Sequence, residues 1–341
     1  MDAAIESTIT VVRTASAIAI VPLLLWTLAL RRKVAALESS DADASQADRS
    51  DASDSSPLDP EVRAAESADA DHVAEQRSID SAERAAELHA MVSAALADDR
   101  MFMQFQPMID LNTDGIVGVE GFARCLDDEK TVRNPGEFLA AIEQTPLVAD
   151  LDYKAFELVC AAGAELKRRG LDLPVACNFA ARTLRQADFV AHLEQTAAAV
   201  GMPTSKIQIE VTEAIVFDEH SRNVEVLHRL ARAGFSIVLD DFGSGVSALT
   251  NLRDLPIDVV KIDRSLTERI INPGPERATA SAIVHFAIEL GITVVVEGIE
   301  TAEQRTAATE IGAHHAQGWH YAFAASLDDL LEAVAGEPSL T

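Results

Sequence analysis

The sequence predicts an α/β fold, and within that class a (β/α)8 barrel. Between about residues 85 and 335, strand-like and helix-like segments alternate, and the strand–helix units number close to eight. Neither G-x-G-x-x-G nor a P-loop, the phosphate-binding motifs of open nucleotide-binding sheets, occurs in the chain. Six of the predicted strands end in polar residues, at the edge where barrel enzymes carry their active sites. We therefore expect a barrel rather than a doubly wound sheet.

The composition limits the partners that this chain can have. Its 341 residues include 28 Lys and Arg against 55 Asp and Glu, which gives a formal net charge of -27. Nucleic acid polymers require clustered Lys and Arg, so we expect no such partner. An anionic substrate would have to be held by metal ions or by a local basic group. The three cysteines show no C-x-x-C spacing, which is typical of buried thiols in a reducing compartment.

The N-terminal segment, residues 1–37, is predicted to be a transmembrane anchor. Residues 14–30 carry no charge, and the basic run 31–33 follows them. At about 1.5 Å per residue the uncharged run spans about 25 Å, and snorkelling of flanking basic side chains can complete the crossing. A cleaved signal peptide would carry its positive charge before the apolar run, and a buried helix is the other alternative. The positive-inside rule favours a single pass through the inner (cytoplasmic) membrane, with the remainder of the chain in the cytoplasm.

Residues 38–84 are predicted to be a linker. Their first part is a low-complexity run of Asp, Ser and Ala, which buries too little apolar surface to offset its ordering entropy. We therefore expect a disordered, self-repelling tether, followed by a helical stretch that leads into the folded domain. The barrel is assigned to residues 85–335, and residues 336–341 are left as a tail.

The barrel begins with a predicted strand pair, Met103–Leu111 and Ile116–Arg124, around the turn at 112–115. Two helices, at 135–145 and 150–169, are predicted next, and the second ends in Lys-Arg-Arg-Gly, which suits a helix C-terminus. Further helices are predicted at 221–233, at 276–290 and from 303. The strands that alternate with the later helices read PVACNFA, KIQIEVTE, SIVLDD, VVKID and TVVVEGIE.

Polar residues stand at or near the strand ends. They are Glu120, Asn178, Glu210, Asp240, Asp241, Lys261, Asp263 and Glu297. Because barrel strands end at one rim, we expect these side chains to converge. Carboxylate and amide oxygens suit Mg²⁺ or Mn²⁺, and two such ions can clamp a phosphoryl group for in-line displacement by water.

Individual members of this set also have simpler interpretations. Asp240 and Asp241 precede a glycine-rich loop, so this stretch alone also fits a turn. Adjacent residues of a strand point to opposite faces, so these two carboxylates diverge unless a loop begins between them. Lys261 and Asp263 could form a salt bridge and nothing more.

The motifs of the barrel together resemble a known family, the EAL-domain phosphodiesterases that hydrolyse cyclic di-GMP. The motifs are FQPMIDL, VGVEGFAR, CNFAAR, IEVTE, LDDFGSG, LPIDVVKID, VVVEGIET and AQGW, in this order. The resemblance implies a barrel with an antiparallel first strand, two Mg²⁺ or Mn²⁺ ions and a homodimer. The implied reaction opens cyclic di-GMP to linear pGpG.

The resemblance also assigns roles position by position. The implied metal ligands are Glu120, Asn178, Glu210, Asp240 and Asp241. The implied catalytic residues are Lys261, which contacts water or phosphate, Glu297, which activates the water, and Glu213, which holds the glycine loop. The implied substrate-side or supporting residues are Gln106, Arg124, Asp263, Glu300 and Gln317.

Three departures from the family pattern bear on activity. The triplet that names the family is Glu120-Gly121-Phe122 here, so the acid stays while the usual Ala-Leu is lost. Val246 stands where the family usually has Tyr, and the common proline after the Gln-Gly pair is absent. The leading hypothesis is a membrane-anchored cyclic di-GMP phosphodiesterase. The alternative is a degenerate domain that has little or no hydrolytic activity and instead binds cyclic di-GMP or a protein partner. A third, remote hypothesis is a metal-dependent barrel hydrolase that acts on another phosphodiester.

Overall fold

The computed structural model describes residues 81–216, 223–243 and 249–336. The predicted membrane anchor, nearly all of the predicted linker, Val246 and residues 337–341 lie outside these ranges. Within them, no helix combines the length and the apolar character that a bilayer crossing requires.

In the described part of the chain, nine strands form one sheet, and eight of them close into a barrel. The strands are β1 (Met101–Asp110), β2 (Ile116–Leu126), β3 (Val132–Arg133), β4 (Val175–Asn178), β5 (Ile207–Thr212), β6 (Ser236–Phe242), β7 (Val259–Ile262), β8 (Thr293–Val296) and β9 (His315–Ala316). Their order is β1-β9-β8-β7-β6-β5-β4-β2-β3, and the pairing of β1 with β2 closes the ring. β1 runs antiparallel to β2 and β9, whereas the pairs from β2–β4 to β8–β9 are parallel. The predicted barrel and its antiparallel first strand are confirmed.

The β1–β2 hairpin explains the reversed first strand. One oxygen of Asp110 accepts hydrogen bonds from the backbone N–H groups of Asn112 and Thr113, at 2.9 and 2.8 Å. Asp114 follows with φ of 58°, a left-handed conformation that Asp tolerates. So short a connection permits only antiparallel pairing, because parallel neighbours need a crossover segment.

Helices cover the outside of the barrel. They are α1 (residues 81–97), α2 (Pro135–Ile142), α3 (Leu147–Arg168), α4 (Ala181–Leu184), α5 (Phe189–Val200), α6 (Glu213–Val216), α7 (Asn223–Arg232), α8 (Arg264–Thr267), α9 (Pro275–Glu289), α10 (Ala302–Glu310) and α11 (Leu327–Gly336). The ends predicted for α2, α3 and α9 and the start predicted for α10 lie within three residues of those observed. α3 ends in Lys167 and Arg168, and Gly170 follows with φ of 90°, as the sequence pattern indicates.

An apolar layer fills the barrel beneath its polar rim. Its buried residues are Met108, Ala176, Val238, Val259 and Val295. Because side chains alternate along a strand, Val238 shares the inner face of β6 with Asp240, and Val259 shares that of β7 with Lys261. Val295 in β8 and Glu297, which directly follows β8, are likewise two residues apart. The barrel is therefore packed at its floor, and its polar groups gather at the carboxyl ends of the strands.

Candidate active site

The side chain of Lys261 lies at the centre of the rim, with a relative exposure of only 1%. Its Nζ atom lies 2.7 Å from Glu297 and 2.8 Å from Glu120. Glu210 and Asp240 follow at 3.3 and 3.6 Å. Glu120 lies within β2, Glu210 within β5 and Asp240 within β6, and Glu297 directly follows β8, so one ammonium group links four parts of the barrel. We call Lys261 and the four acids the acidic cluster.

Glu120 is fixed by further polar neighbours. Asn178 donates from Nδ2 to Glu120 Oε1 at 2.8 Å, and Gln317 donates from Nε2 to Glu120 Oε2 at 2.9 Å. Gln317 also donates to Gln106 Oε1 at 3.1 Å, and Gln106 in turn donates to the carbonyl oxygen of Ala322. The structure thus places Asn178 and the two predicted glutamines in direct or relayed contact with Glu120.

Asp240 and Asp241 meet despite their adjacency in sequence. The φ angle of Asp241 is 56°, and the register of β6 against β7 shifts between Leu239 and Phe242, so the alternation of side chains is interrupted within β6. Oxygens of Asp240, Asp241 and Glu297 lie within 4.8 Å of one another. The sequence made this convergence depend on a loop that begins between the two residues. β6 instead continues to Phe242, and an irregularity within the strand brings the two carboxylates together.

Burial and mutual repulsion set the protonation of the cluster. Burial, followed by the charge of Glu120, raises the pKa of Glu210 well above its usual range. Burial also raises the pKa of Asp240, and it raises that of Glu297 to about 8. For Glu120, burial is overcome by the charge and hydrogen bond of Lys261, so its pKa is lowered. The cluster therefore carries more acid than its single cation balances.

The donors fit divalent metal ions. Four carboxylates lie within 3.6 Å of one ammonium group. An oxygen of Asp241 lies close to those of Asp240 and Glu297, and the amide of Asn178 adjoins Glu120. Glu210 Oε1 is buried, and Lys261 Nζ lies 3.3 Å from it. Hard oxygen ligands with excess negative charge are the set that Mg²⁺ and Mn²⁺ prefer.

Glu213 connects the cluster to the glycine loop. It is buried at the start of α6, directly after β5, and its Oε2 atom accepts a hydrogen bond from the N–H of Gly243 at 3.0 Å. Gly243 has φ of 95°, and its N–H directly follows the strand that carries the two aspartates. Glu213 thus holds the chain where it leaves β6.

Three predicted substrate-side residues have other partners than the cluster. Arg124 donates from Nε to Gln104 Oε1 at 2.8 Å and from Nη1 to the carbonyl oxygen of Ala123. Asp263 caps α8 by accepting from the N–H of Ser265 at 2.9 Å. Glu300 forms an ion pair with Arg264 at 2.9 Å. These three lie around the rim, and their contacts are compatible with supporting positions.

A cavity of about 600 Å³ adjoins the cluster. Glu120, Asn178, Asp240 and Glu297 line its inner side, and Phe122 stands in its wall. Sequence reasoning did not single out Arg182 and Arg185, which also line it. Arg182 is the last residue of the motif CNFAAR, and Arg185 follows three residues later. They give an otherwise acidic rim a local basic group.

Gly121 is explained by its packing. A methyl group at its Cα would lie 2.7 Å from Val159 Cγ2 and 3.1 Å from Met103 Cε. The side chains of α3 and β1 therefore occupy the space that an alanine would need. Phe122 lies beside Arg124, whose guanidinium carbon is 5.8 Å from the ring centroid.

Comparison with known proteins points to one family. A family model described as the EAL domain matches residues 89–324. The signaling protein YkoW of Bacillus subtilis is 32% identical over 228 residues, which are 67% of this chain and 28% of YkoW. The cyclic di-GMP phosphodiesterase RocR of Pseudomonas aeruginosa is 30% identical over 218 residues, or 64% of this chain and 56% of RocR. This chain therefore spans well under two thirds of these relatives.

A solved structure agrees with these matches. The PaMucR phosphodiesterase in complex with cyclic di-GMP superimposes with a TM-score of 0.68 at 26% identity. The superposition covers 72% of this chain and 99% of the PaMucR chain. The match thus extends over an entire domain of that protein.

Proposed function

The chain belongs to the EAL family, and from that premise we propose that it is a metal-dependent phosphodiesterase that opens cyclic di-GMP to linear pGpG. The observation that carries the proposal is the acidic cluster, in which Glu120, Glu210, Asp240 and Glu297 surround buried Lys261 within 3.6 Å. Relatives that share the domain are named cyclic di-GMP phosphodiesterases. A chain that only binds a ligand has less need of so complete a set of acids.

The residues that would hold two cations, Mg²⁺ or Mn²⁺, are Glu120, Asn178, Glu210, Asp240 and Asp241. When bound, the ions would supply positive charge to the phosphate and would acidify an attacking water. Oxygens of Asp240 and Asp241 lie close enough together to belong to one site for two ions. Activity assays with Mg²⁺ and with Mn²⁺ identify the metal that the site uses.

The chemistry of the protein groups follows from their placement. Glu297 lies at the open side of the cluster, where bound cations would favour its ionised form, and it accepts the proton of the attacking water. The water oxygen forms a new bond to phosphorus, the bond from phosphorus to the sugar oxygen breaks, and that oxygen takes up a proton from solvent as it leaves. Lys261, buried among the acids, donates to phosphate oxygen as charge develops there. Glu213 keeps the chain after β6 in the geometry that presents Asp240 and Asp241.

The cavity next to the cluster suits one half of the dinucleotide. Its volume of about 600 Å³ lies within the range of small-molecule sites, about 300–1,000 Å³. Phe122 offers an aromatic face for a base, and Arg182 has a buried Nε atom that makes no hydrogen bond to the described residues. Gln106, Arg124, Asp263, Glu300 and Gln317 remain the proposed substrate-side or supporting residues.

One observation favours the alternative of a cyclic di-GMP receptor with little or no hydrolysis. Phe122 and Gly121 replace the usual Leu and Ala next to the ligand Glu120, and neighbouring side chains fill the space that Ala would occupy. A bulkier wall at this position can hold a base without improving the alignment of the phosphate. The two functions differ in turnover and share the binding site.

The location of the chain is also a proposal. We propose that residues 1–37 form a single-pass anchor in the inner (cytoplasmic) membrane and that the catalytic domain faces the cytoplasm. Resistance of the full chain to alkaline carbonate extraction, lost on deletion of 1–37, supports this assignment, and extraction of the full chain contradicts it. Homodimer formation, implied by the family resemblance, is tested by light scattering on the same purified protein.

The function is tested by incubating the full chain with cyclic di-GMP and Mg²⁺ or Mn²⁺ and separating the products. We expect pGpG from the wild type and none from Glu120→Ala. Glu129→Ala, which removes an exposed acid just beyond β2, is the matched control and should retain activity. Stoichiometric binding without pGpG would overturn the enzyme assignment, and activity in Glu120→Ala would overturn the metal assignment.

A further inference from the structure

Asp152 is a buried carboxylate that the mechanism above does not use. It lies in the first two turns of α3 with a relative exposure of 6%. Its Oδ2 atom accepts hydrogen bonds from the N–H of Ala180 at 2.9 Å and from the hydroxyl of Thr183 at 2.5 Å. A single oxygen on one helix therefore holds two points of the segment that follows β4.

That segment begins with Asn178, a proposed metal ligand. Ala180 is the N-cap residue of α4, and its side chain makes no capping hydrogen bond. Asp152 takes the part that an N3 side chain has in a capping box, because it accepts the N–H of the N-cap residue. On the other side, Phe179 donates its N–H to the carbonyl oxygen of Glu210 at 3.1 Å. The backbone after Asn178 is thus held from both the helix layer and the neighbouring strand.

The side chain of Asn178 has a defined orientation as a result. Its Nδ2 atom donates to Glu120 at 2.8 Å, which leaves Oδ1, the atom that can bind a cation, on the other side of the amide. A shift of Ala180 would move the backbone of Asn178 and turn this oxygen. Asp152 and Asn178 both line the cavity beside the cluster.

Packing alone does not require an acid at position 152. Phe156 and Val159 follow at four and seven residues, so Asp152 occupies the buried stripe of α3, where an apolar residue would serve. Burial raises the pKa of Asp152 to about 7, against the lowering effect of the hydrogen bonds from Thr183 and Ala180. Perturbed buried acids of this kind concentrate at functional sites.

We propose that Asp152 is a positioning residue of the metal site, which holds the 178–181 segment so that Asn178 presents its oxygen beside Glu120. The inference rests on the proposed function, because this role has meaning only if the cluster binds cations. Loss of a residue that orients a metal ligand commonly costs 10- to 100-fold in metal affinity.

The test is a Mn²⁺ titration of the full chain without substrate, followed by the electron paramagnetic resonance signal of free Mn²⁺. Asp152→Ala should weaken Mn²⁺ binding by about tenfold or more. Asp152→Asn, which keeps an oxygen acceptor, should weaken it less. Asn178→Ala should also weaken it, and the double variant Asp152→Ala/Asn178→Ala should bind no more weakly than Asn178→Ala alone.

A matched control separates positioning from general destabilisation. Asp258 accepts a hydrogen bond from the N–H of Ile237 at 2.8 Å at the opposite end of the barrel, so Asp258→Ala loses a similar bond and should bind Mn²⁺ as the wild type does. If Asp152→Ala does not fold, Thr183→Val, which removes only the hydroxyl contact, takes its place and should weaken Mn²⁺ binding.

Two results would overturn the inference. One is unchanged Mn²⁺ affinity in a folded Asp152→Ala, or in Thr183→Val where that variant replaces it. The other is a double variant whose loss equals the sum of the single losses. A wild type that binds no Mn²⁺ would remove the metal assignment and this inference together. A wild type that binds Mn²⁺ without hydrolysing cyclic di-GMP would remove only the phosphodiesterase assignment, because the titration is read without substrate.

Discussion

Replacing Lys261 with Met should destabilise the metal-free protein strongly. The substitution keeps the length of the side chain and removes a cation that lies within 3.6 Å of four carboxylates. Removing one partner of a buried pair costs about 3–5 kcal/mol, because a buried charge is left uncompensated. Glu210, Asp240 and Glu297 already have raised pKa values. Proton uptake by these acids limits the loss, so we expect about 3–5 kcal/mol rather than a sum over four pairs.

The assay is urea unfolding of the full chain, with and without Mn²⁺. A ligand at 100 times its Kd adds about 2.7 kcal/mol to the free energy of unfolding. Because Lys261→Met has a more negative cluster, it should gain more from Mn²⁺ than the wild type does. Lys206→Met is the control, since the exposed pair of Lys206 with Asp172 at 3.0 Å contributes only about 0.2–1 kcal/mol. An unchanged unfolding midpoint for metal-free Lys261→Met would show that the ammonium group does not stabilise the buried acids.

Three further predictions concern single contacts. Gly121→Ala should lose about 1–3 kcal/mol by overpacking against Val159, more than the about 0.5–1 kcal/mol that alanine gains over glycine; thermal unfolding checks this, and Gly121→Ala/Val159→Ala should recover stability. Glu213→Ala should release the N–H of Gly243 and lower hydrolysis far more than Glu213→Gln, which keeps an acceptor; equal rates in the two variants would contradict this role. Folding raises the pKa of Asp152 from near 4 in the unfolded chain to about 7. The contribution of this carboxyl to the free energy of unfolding is therefore complete below pH 4 and is lost as pH rises through about 7. In denaturant titrations from pH 4 to 8, the free energy of unfolding of Asp152→Asn should therefore rise relative to that of the wild type, by about 1.4 kcal/mol per pH unit up to pH 7. A difference between the two proteins that stays constant with pH would contradict this.

The barrel and most of the acidic cluster could be predicted from the sequence because strand ends are local features. Glu120, Glu210 and Lys261 each directly follow an apolar residue within a strand, and the fold brings these positions to one rim. The convergence of Asp240 with Asp241 could be stated only as a condition, because it depends on one φ angle at the strand end. The number of acids that Lys261 contacts was also beyond the sequence, since those contacts span four strands.

Asp152 shows why other parts of the site escaped prediction. Its partners lie 28 and 31 residues further along the chain, so no motif contains both sides of the contact. The sequence pattern that could have indicated Asp152 is an acid on the apolar face of α3, four and seven residues before Phe156 and Val159. Arg124 illustrates the converse, because its motif position implies substrate contact while its observed hydrogen bonds go to Gln104 and Ala123.

Hydrolysis of cyclic di-GMP by the acidic cluster with bound cations is tested most directly by the amount of pGpG formed per mole of full-length chain over time. The amount is measured with Mn²⁺, after removal of metal by a chelator, and after its restoration. We expect many turnovers with Mn²⁺, none after chelation, and recovery when Mn²⁺ is returned. Cyclic di-GMP recovered intact under all three conditions, in an amount equal to the protein that bound it, would contradict this expectation.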